Sequence, residues 1–310
     1  MAALVNGPEG DALEWGSINW PRVEREVRRL RQRIFTASQA GDLKKVRNLQ
    51  KLMLRSRANA LMSVRRVTEL NAGRKTAGVD GKVVVSAPGK AVLADRVRRA
   101  HTVTAQPVKR VYVPKANGKQ RPLGIPVIVD RVRQAQVVGA LEPEWEARFE
   151  PRSYGFRPGR GCHDAIEAIF HVARGPNPSR GWVLDADLAA AFDRLDHEHI
   201  VSQIGTFPAR GLVQRWLRAG VVEHEWFTPT QEGTPQGGVI SPVLLNVALH
   251  GMEQAAGVRY RTAGVNAGNV VAGCPVLVRY ADLCRVRHKS AYVERGIMWS
   301  TRVKVLVNGG

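Results

Sequence analysis

The chain has 310 residues, 44% of them hydrophobic, enough for one large or two modest domains with a substantial core. Aromatics make up only 6%, which argues against a base-stacking surface built mainly from exposed rings. A formal net charge of +20 selects polyanionic partners, nucleic acid first among them, and no apolar run approaches the roughly 20 residues that span a bilayer. Cys162, Cys274 and Cys284 are far apart, with no metal-ligand or redox spacing, which fits free thiols in a reducing compartment. Met1 to Trp15 carries acids and lacks the apolar core of a signal peptide. A cytoplasmic protein without membrane association is expected.

Asn19 and Pro21 form a helix start, a capping side chain followed by a proline in the first turn. Val23, Val27, Leu30 and Ile34 then recur at four- and three-residue steps, the pattern of an amphipathic helix. Gly41-Asp42 ends it, and a second helix is expected to run on from Val46 through Leu49, Met53, Ala60 and Leu61 to Val64. From Arg22 to Lys75 there are sixteen Lys/Arg against four acids. A solvated helix face ordinarily mixes both signs, so this hairpin is expected to meet RNA or DNA phosphates. Its candidate RNA contacts are Arg28, Arg29, Lys44, Lys45, Arg55, Arg65 and Arg66.

The turn clusters at Asn71 to Gly73 and Gly78 to Gly81 mark a boundary near residue 75. Beyond it the texture becomes α+β. Val108 to Pro114 alternates as a strand and leads into a hairpin-type turn at Ala116 to Lys119. Asp130 to Phe149 reads as a helix, with a kink or break expected at Pro143. Trp182 to Leu188 reads as a buried strand, Arg210 to Ala219 as a helix, and Val239 to Ala255 as mostly buried helix.

The strand ending at Asp187 is followed by Phe192, Asp193, Asp196 and His197. An acid at a strand end can ligate a metal, whereas Asp193 and Asp196 can equally cap turns or a helix. The loop Gly233 to Pro242 (GTPQGGVISP) has glycines that permit close backbone approach, and it opens a helix whose first N–H groups favour anions or polar base edges. Lys115, Lys119 and Arg121 flank the hairpin tip, where cations suit a triphosphate and, on their own, equally make an ordinary basic loop. A second apolar strand, Pro275 to Tyr280, ends in Tyr280-Ala281-Asp282-Leu283.

Together, NAGRKTAGVDG (71–81), PKANGKQRPLGIP (114–126), SYGFRP (153–158), DADLAAAFDRLDH (185–197) and GTPQGGVISP (233–242) closely resemble the reverse transcriptases of bacterial group II introns, the intron-encoded maturases. The resemblance runs nearly continuously from about Ser17 to Asp282. It implies an α+β right-hand polymerase, with fingers and palm over 76–282 preceded by the basic helical region 17–75. A disordered lead (1–16) and a divergent tail (283–310) complete the expected division. The implied activity is RNA-directed DNA synthesis from dNTPs on intron RNA, at a DNA primer or target, with maturase-type RNA binding. Asp187 and Asp282 become the catalytic, magnesium-holding aspartates. Phe192 becomes the aromatic gate under the sugar, Lys115 and Arg121 contact the triphosphate, and Gln236 and Gly237 line the nascent base pair. Two ions about 4 Å apart activate the primer oxygen and stabilise the leaving pyrophosphate.

In that family another Asp follows the Tyr-Ala-Asp turn. Here Leu283 follows, then Cys284-Arg285, which reads as a short deletion of the next Asp and most of the return strand, followed from Ala291 to Gly310 by either a frame-shifted or a decayed end and no thumb: a C-terminally truncated copy. Loss of the mate leaves Val276 to Tyr280 unpaired on that reading, and low polymerase activity follows. Asp185 and Asp193 are expected to aim away from Asp187 and not to replace the lost carboxylate. The alternative is a non-catalytic intron RNA-binding or splicing-assisting protein, or an inactive relic.

Overall fold

The computed structural model describes residues 13–99, 104–114, 118, 120–174, 182–188 and 190–288. The chain forms two compact units, one of Met1–Glu144, Thr206–Thr230 and Gly237–Ile240, the other of Trp145–Gly205, Gln231–Gln236 and Ser241–Gly310.

The first unit opens with α1 (Trp20–Gln39), where the Asn19 side chain accepts a hydrogen bond from Arg22 N and Pro21 lies in the first turn. Gly41 takes a left-handed φ of 70°, and Asp42 caps α2 (Leu43–Arg55) by accepting from Lys45 N at 2.9 Å. The single helix expected from Val46 to Val64 is instead two. Ser56 is extended, with ψ 127°, and its hydroxyl caps α3 (Arg57–Arg65). The apolar positions continue across this break, so periodicity alone does not reveal it. A segment not assigned from the sequence, α4 (Ala87–Arg99), joins the core through Leu93, Ala94 and Val97, packed with Trp15, Leu61, Val64, Val67, Ile128 and Val132.

Strands β1 (Val108–Pro114) and β2 (Gln120–Ile125) form an antiparallel hairpin in the expected place; of its tip, Lys115, Ala116, Asn117 and Lys119 lie outside the described residues. Helix α5 (Ile128–Glu146) continues through Pro143 without the expected break, although a proline there has no N–H to donate to the carbonyl four residues earlier. Within this unit α5 is tied to α2 and α3 by buried polar contacts. Gln50 Nε2 donates to the Ala140 carbonyl and to Glu144, and Asn59 Nδ2 donates to the Gln136 carbonyl.

In the second unit, α6 (Cys162–Ala173) packs Ala165 against strand residues Val276 and Val278. Strand β3 (Trp182–Asp187) leads through a short 3-10 turn to α7 (His197–Gln203), capped by Asp196, which accepts from His199 N at 2.9 Å. Returning to the first unit, α8 (Arg210–Leu217) precedes β4 (Val221–Glu223) and β5 (Trp226–Thr228), which extend the hairpin into a sheet of order β2-β1-β4-β5. The stretch expected to be mostly one helix to Ala255 is divided at Gly251 (φ 99°) into α9 (Ser241–Ala248) and α10 (Met252–Ala255).

The last two strands overturn the reading of a missing return strand. β6 (Val276–Tyr280) is paired along its length with β7 (Leu283–His288), and β7 also pairs with β3, giving the order β3-β7-β6. Leu283 to His288 supplies the extended run that this needs, so the step from Asp282 to Leu283 removes a carboxylate without removing the strand. Residues 289–310, which include the end expected to be frame-shifted or decayed, lie outside the described residues. No helix among the described residues is long and apolar enough to cross a membrane.

Candidate functional site

The β6–β7 hairpin closes with only Ala281 and Asp282 between the paired Tyr280 and Leu283. Ala281 adopts φ 55°, a left-handed conformation that a residue with a Cβ takes only when its surroundings impose it. The Asp282 carbonyl accepts from Leu188 N at 3.1 Å, which ties the turn to the chain just beyond Asp187. Asp187 in turn lies directly opposite Leu283 in the β3–β7 register. The structure thus brings the two aspartates together, Asp187 exposed and Asp282 half-buried. Burial pushes the Cys284 thiol up to about 12; Asp282, Asp187 and Glu150 add to the rise while Arg279 opposes it.

Strand alternation also corrects the expectation for Asp185. Residues two apart on a strand share a face, so Asp185 lies on the same side of β3 as Asp187, about 7 Å further from the turn. Leu283 takes the third place beside the aspartates and is 50% exposed.

The SYGFRP motif explains why the turn holds its shape. A Cβ on Gly155 would come within 2.1 Å of Ala281 N and 2.7 Å of its Cα, so only glycine lets the two backbones touch. Tyr154 N donates to the Arg279 carbonyl at 2.9 Å, and Arg279 N donates to the Arg152 carbonyl at 2.9 Å, which lays this segment along the open edge of β6. Arg157 is buried and donates to both Glu146 carboxylate oxygens and to the carbonyls of Glu150 and Ser153. Phe156 meets Phe192 edge to face at 5.9 Å between ring centroids.

The GTPQ part of the glycine-rich loop is built against the segment after β3. Thr234 N donates to the Phe192 carbonyl at 2.6 Å and Gly233 N to the Leu195 carbonyl at 2.7 Å. A Cβ on Gly233, itself at φ 84°, would lie 2.6 Å from the Asp193 carbonyl oxygen. Gln236 Nε2 approaches Asp193 Oδ2 at 3.4 Å. Phe192, Gln236, Asp187 and Asp282 therefore all belong to the second unit.

Arg121 and Gly237 belong to the first unit. Arg121 is exposed on β2 opposite Val113. Gly237, at φ 111°, leaves a would-be Cβ 3.0 Å from the Gly124 carbonyl oxygen. Lys115 lies outside the described residues. The same unit carries a groove of about 640 Å³ along α1 and the start of α2, whose lining includes Arg25, Arg28, Arg29, Arg33 and Lys45. Of the candidate RNA contacts, Arg28, Arg29, Lys44, Lys45, Arg55 and Arg66 are exposed. Arg65 is engaged within the fold, 2.9 Å from Glu24, 3.7 Å from Glu69 and 4.5 Å over the Trp20 ring. Arg25, Arg33, Gly155, Arg279 and Asn246 were not singled out from the sequence. The density of Arg in α1 signals the first two, while the others act through contacts distant in the chain.

Residues 113–292 match the family described as reverse transcriptase (RNA-dependent DNA polymerase), and residues 15–97 match the N-terminal domain of reverse transcriptase. The chain belongs to the reverse transcriptase family. The group II intron-encoded protein LtrA of Lactococcus lactis subsp. cremoris is 37% identical over 158 residues, 49% of this chain and 26% of that protein. Protein YkfC of Escherichia coli (strain K12) is 36% identical over 209 residues, 64% of this chain and 55% of that protein. Maturase-like protein 1 of Euglena gracilis is 27% identical over 239 residues, 76% of this chain and 51% of that protein. The matches thus span about half or less of each relative's length, and they bear out the resemblance to group II intron proteins carried by the motifs.

Reverse transcriptases use divalent metal ions. Asp187 and Asp282 offer the hard carboxylate oxygens that such an ion takes. Among the described residues no group of three His, Cys, Asp or Glu side chains is arranged to hold a metal. The donor set fits an ion held by two carboxylates, with water and phosphate oxygens completing its shell.

Proposed function

We propose that this chain is the RNA-directed DNA polymerase part of a group II intron protein, attenuated by the leucine at position 283, and that it also holds intron RNA through its basic helices. The observation that carries the reading is the juxtaposition of Asp187 with the Asp282 turn, fastened by the Leu188–Asp282 backbone bond. Asp187 and Asp282 would hold magnesium, which when bound supplies the charge that activates a primer hydroxyl and stabilises a leaving pyrophosphate. Phe192, braced by Phe156, closes the space beneath the sugar and selects deoxynucleotides. Gln236 lines the nascent base pair with Gly237, whose missing side chain permits close approach. Lys115 and Arg121 provide cationic contacts for the triphosphate. In this assignment the basic region is 17–75 and the fingers and palm run from 76 to 288, with β7 completing the palm hairpin beyond the expected boundary at 282.

Primer extension on an RNA template with dNTPs and magnesium tests this. The account expects weak synthesis that Asp187→Asn abolishes; synthesis unaffected by Asp187→Asn refutes it.

A second reading, RNA holding without synthesis, is favoured by the arginine-lined groove together with Leu283. It expects RNA binding with a steep salt dependence, lost when residues 17–75 are removed, and no extension under any metal condition.

A further inference from the structure

Behind the Ala281–Asp282 turn lies a buried cation that the assigned chemistry leaves unused. Arg279 is 1% exposed. Its Nη1 donates to Asn246 Oδ1 at 2.8 Å and to the Ala281 carbonyl at 3.1 Å, and its Nη2 donates to the Ser153 hydroxyl. Asn246 Nδ2 donates in turn to the Gly155 carbonyl at 2.9 Å, and Gly155 is the residue whose backbone abuts Ala281. The contacts close a ring from Arg279 through Asn246 and Gly155 to Ala281 and back.

The composition of this ring is costly. The guanidinium donors go to an amide, a carbonyl and a hydroxyl rather than to a carboxylate, and the buried Nε has no hydrogen-bond partner among the described residues. Burial pulls the guanidinium below its ordinary value. The carboxylates Glu150 and Glu253 attract this charge, but the guanidinium's hydrogen bonds go to Asn246, Ala281 and Ser153. Replacing the arginine alone would leave the Asn246 and Ala281 oxygens without this donor, at a cost in stability. What the arginine provides is a donor to the Ala281 carbonyl, fixing the peptide that precedes Asp282 while φ at Ala281 stays at 55°.

We infer that Arg279 is a positioning residue: through Asn246, Gly155 and the Ala281 carbonyl it sets the height and direction of Asp282, and so the affinity of the site for a divalent ion. This rests on the polymerase reading of Asp187 and Asp282, and the test separates the two. Mn2+ binding is followed by electron paramagnetic resonance, turn opening by amide exchange at Ala281 and Asp282, and unfolding by denaturant, in the full chain and in Arg279→Met. The expected result is a chain that still folds, with a lowered midpoint, Mn2+ affinity weakened about tenfold or more, and faster exchange at the two turn amides. A folded Arg279→Met with parental Mn2+ affinity and parental exchange overturns the inference. If Arg279→Met does not fold, Asn246→Ala opens the same ring from its other side and is judged by the same two readouts. A parent chain that binds no Mn2+ sinks the polymerase reading instead; turn exchange then decides the positioning role, which stands if exchange accelerates and falls if it does not.

Discussion

Replacing Gly155 with alanine places a methyl group where the backbone of the Ala281–Asp282 turn already lies. The new Cβ would be 2.1 Å from Ala281 N, and ordinary contact begins at 3.4 Å, so the two segments must separate by 3.4 − 2.1 = 1.3 Å along that line. A movement of that size carries the Gly155 carbonyl away from Asn246, whose bond is 2.9 Å, or the Ala281 carbonyl away from Arg279, whose bond is already 3.1 Å. Overpacking of this kind costs about 1–3 kcal/mol. A misplacement of about 1 Å at a catalytic group costs on the order of a hundredfold in rate, so function should suffer more than stability. Denaturant unfolding, Mn2+ binding and primer extension are compared for Gly155→Ala and for Gly161→Ala, where the nearest atom to a new Cβ is 3.7 Å away. The expected outcome is a modest fall in midpoint with a large loss of metal affinity for Gly155→Ala, and near-parental behaviour for Gly161→Ala. A Gly155→Ala chain with parental midpoint and parental Mn2+ binding would refute the close-approach argument.

Three further outcomes are expected from the charges. Burial raises Glu150 and Glu253 above the ordinary carboxylate value of 4.5; because the folded state binds their protons more tightly, the stability they contribute is present below pH 4.5 and is lost as pH rises through their folded values. Glu253→Gln should therefore flatten the fall in unfolding midpoint from pH 4.5 towards neutrality, and a pH profile parallel to the parent's counts against this assignment. In the basic groove, Arg28→Ala, Arg29→Ala and Lys45→Ala combined should lower the log–log salt slope of RNA binding by about 2, with the midpoint little changed. Arg65→Ala should do the reverse, lowering the midpoint through loss of Glu24, Glu69 and Trp20 contacts while leaving the slope unchanged.

The parts of the site legible in the sequence were those whose signal is local. Helix α1 announced itself through Asn19, Pro21 and the spacing of Val23 to Ile34, and Asp187 and Asp282 stood out as carboxylates at strand ends inside recognisable motifs. The break at Ser56 was hidden because serine caps a helix with the same side chain that sits harmlessly inside one, and Met53 and Ala60 keep the apolar pattern running across it. Strand β7 is hidden because Leu283-Cys284-Arg285 departs from the motif of the resembling family, although the run from Leu283 to His288 is able to pair on its own. For Asp185 the strand position itself is the signal: alternation puts it on the side of Asp187, contrary to the expectation that it aims away. Gly155, Asn246 and Arg279 could not be assigned from sequence: their roles depend on a backbone approach and a hydrogen-bonded ring whose members are far apart in the chain. Arg65 illustrates the converse, a cation in a basic run whose partners Glu24 and Trp20 come near only after α1 and α3 pack.

With the return strand in place, the proposed attenuation rests on one side chain. Leu283 is half exposed and lies opposite Asp187 in the ladder, where directly opposed Cβ atoms are about 5 Å apart, so an aspartate there would stand beside the proposed metal ligand without repacking the core. Primer extension on an RNA template by the parent chain and by Leu283→Asp, each with and without Asp187→Asn, is the most direct test. The account predicts weak synthesis by the parent, at least about a tenfold gain for Leu283→Asp, and none once Asp187 is replaced. Equal synthesis by parent and Leu283→Asp, or synthesis that survives Asp187→Asn, would contradict it.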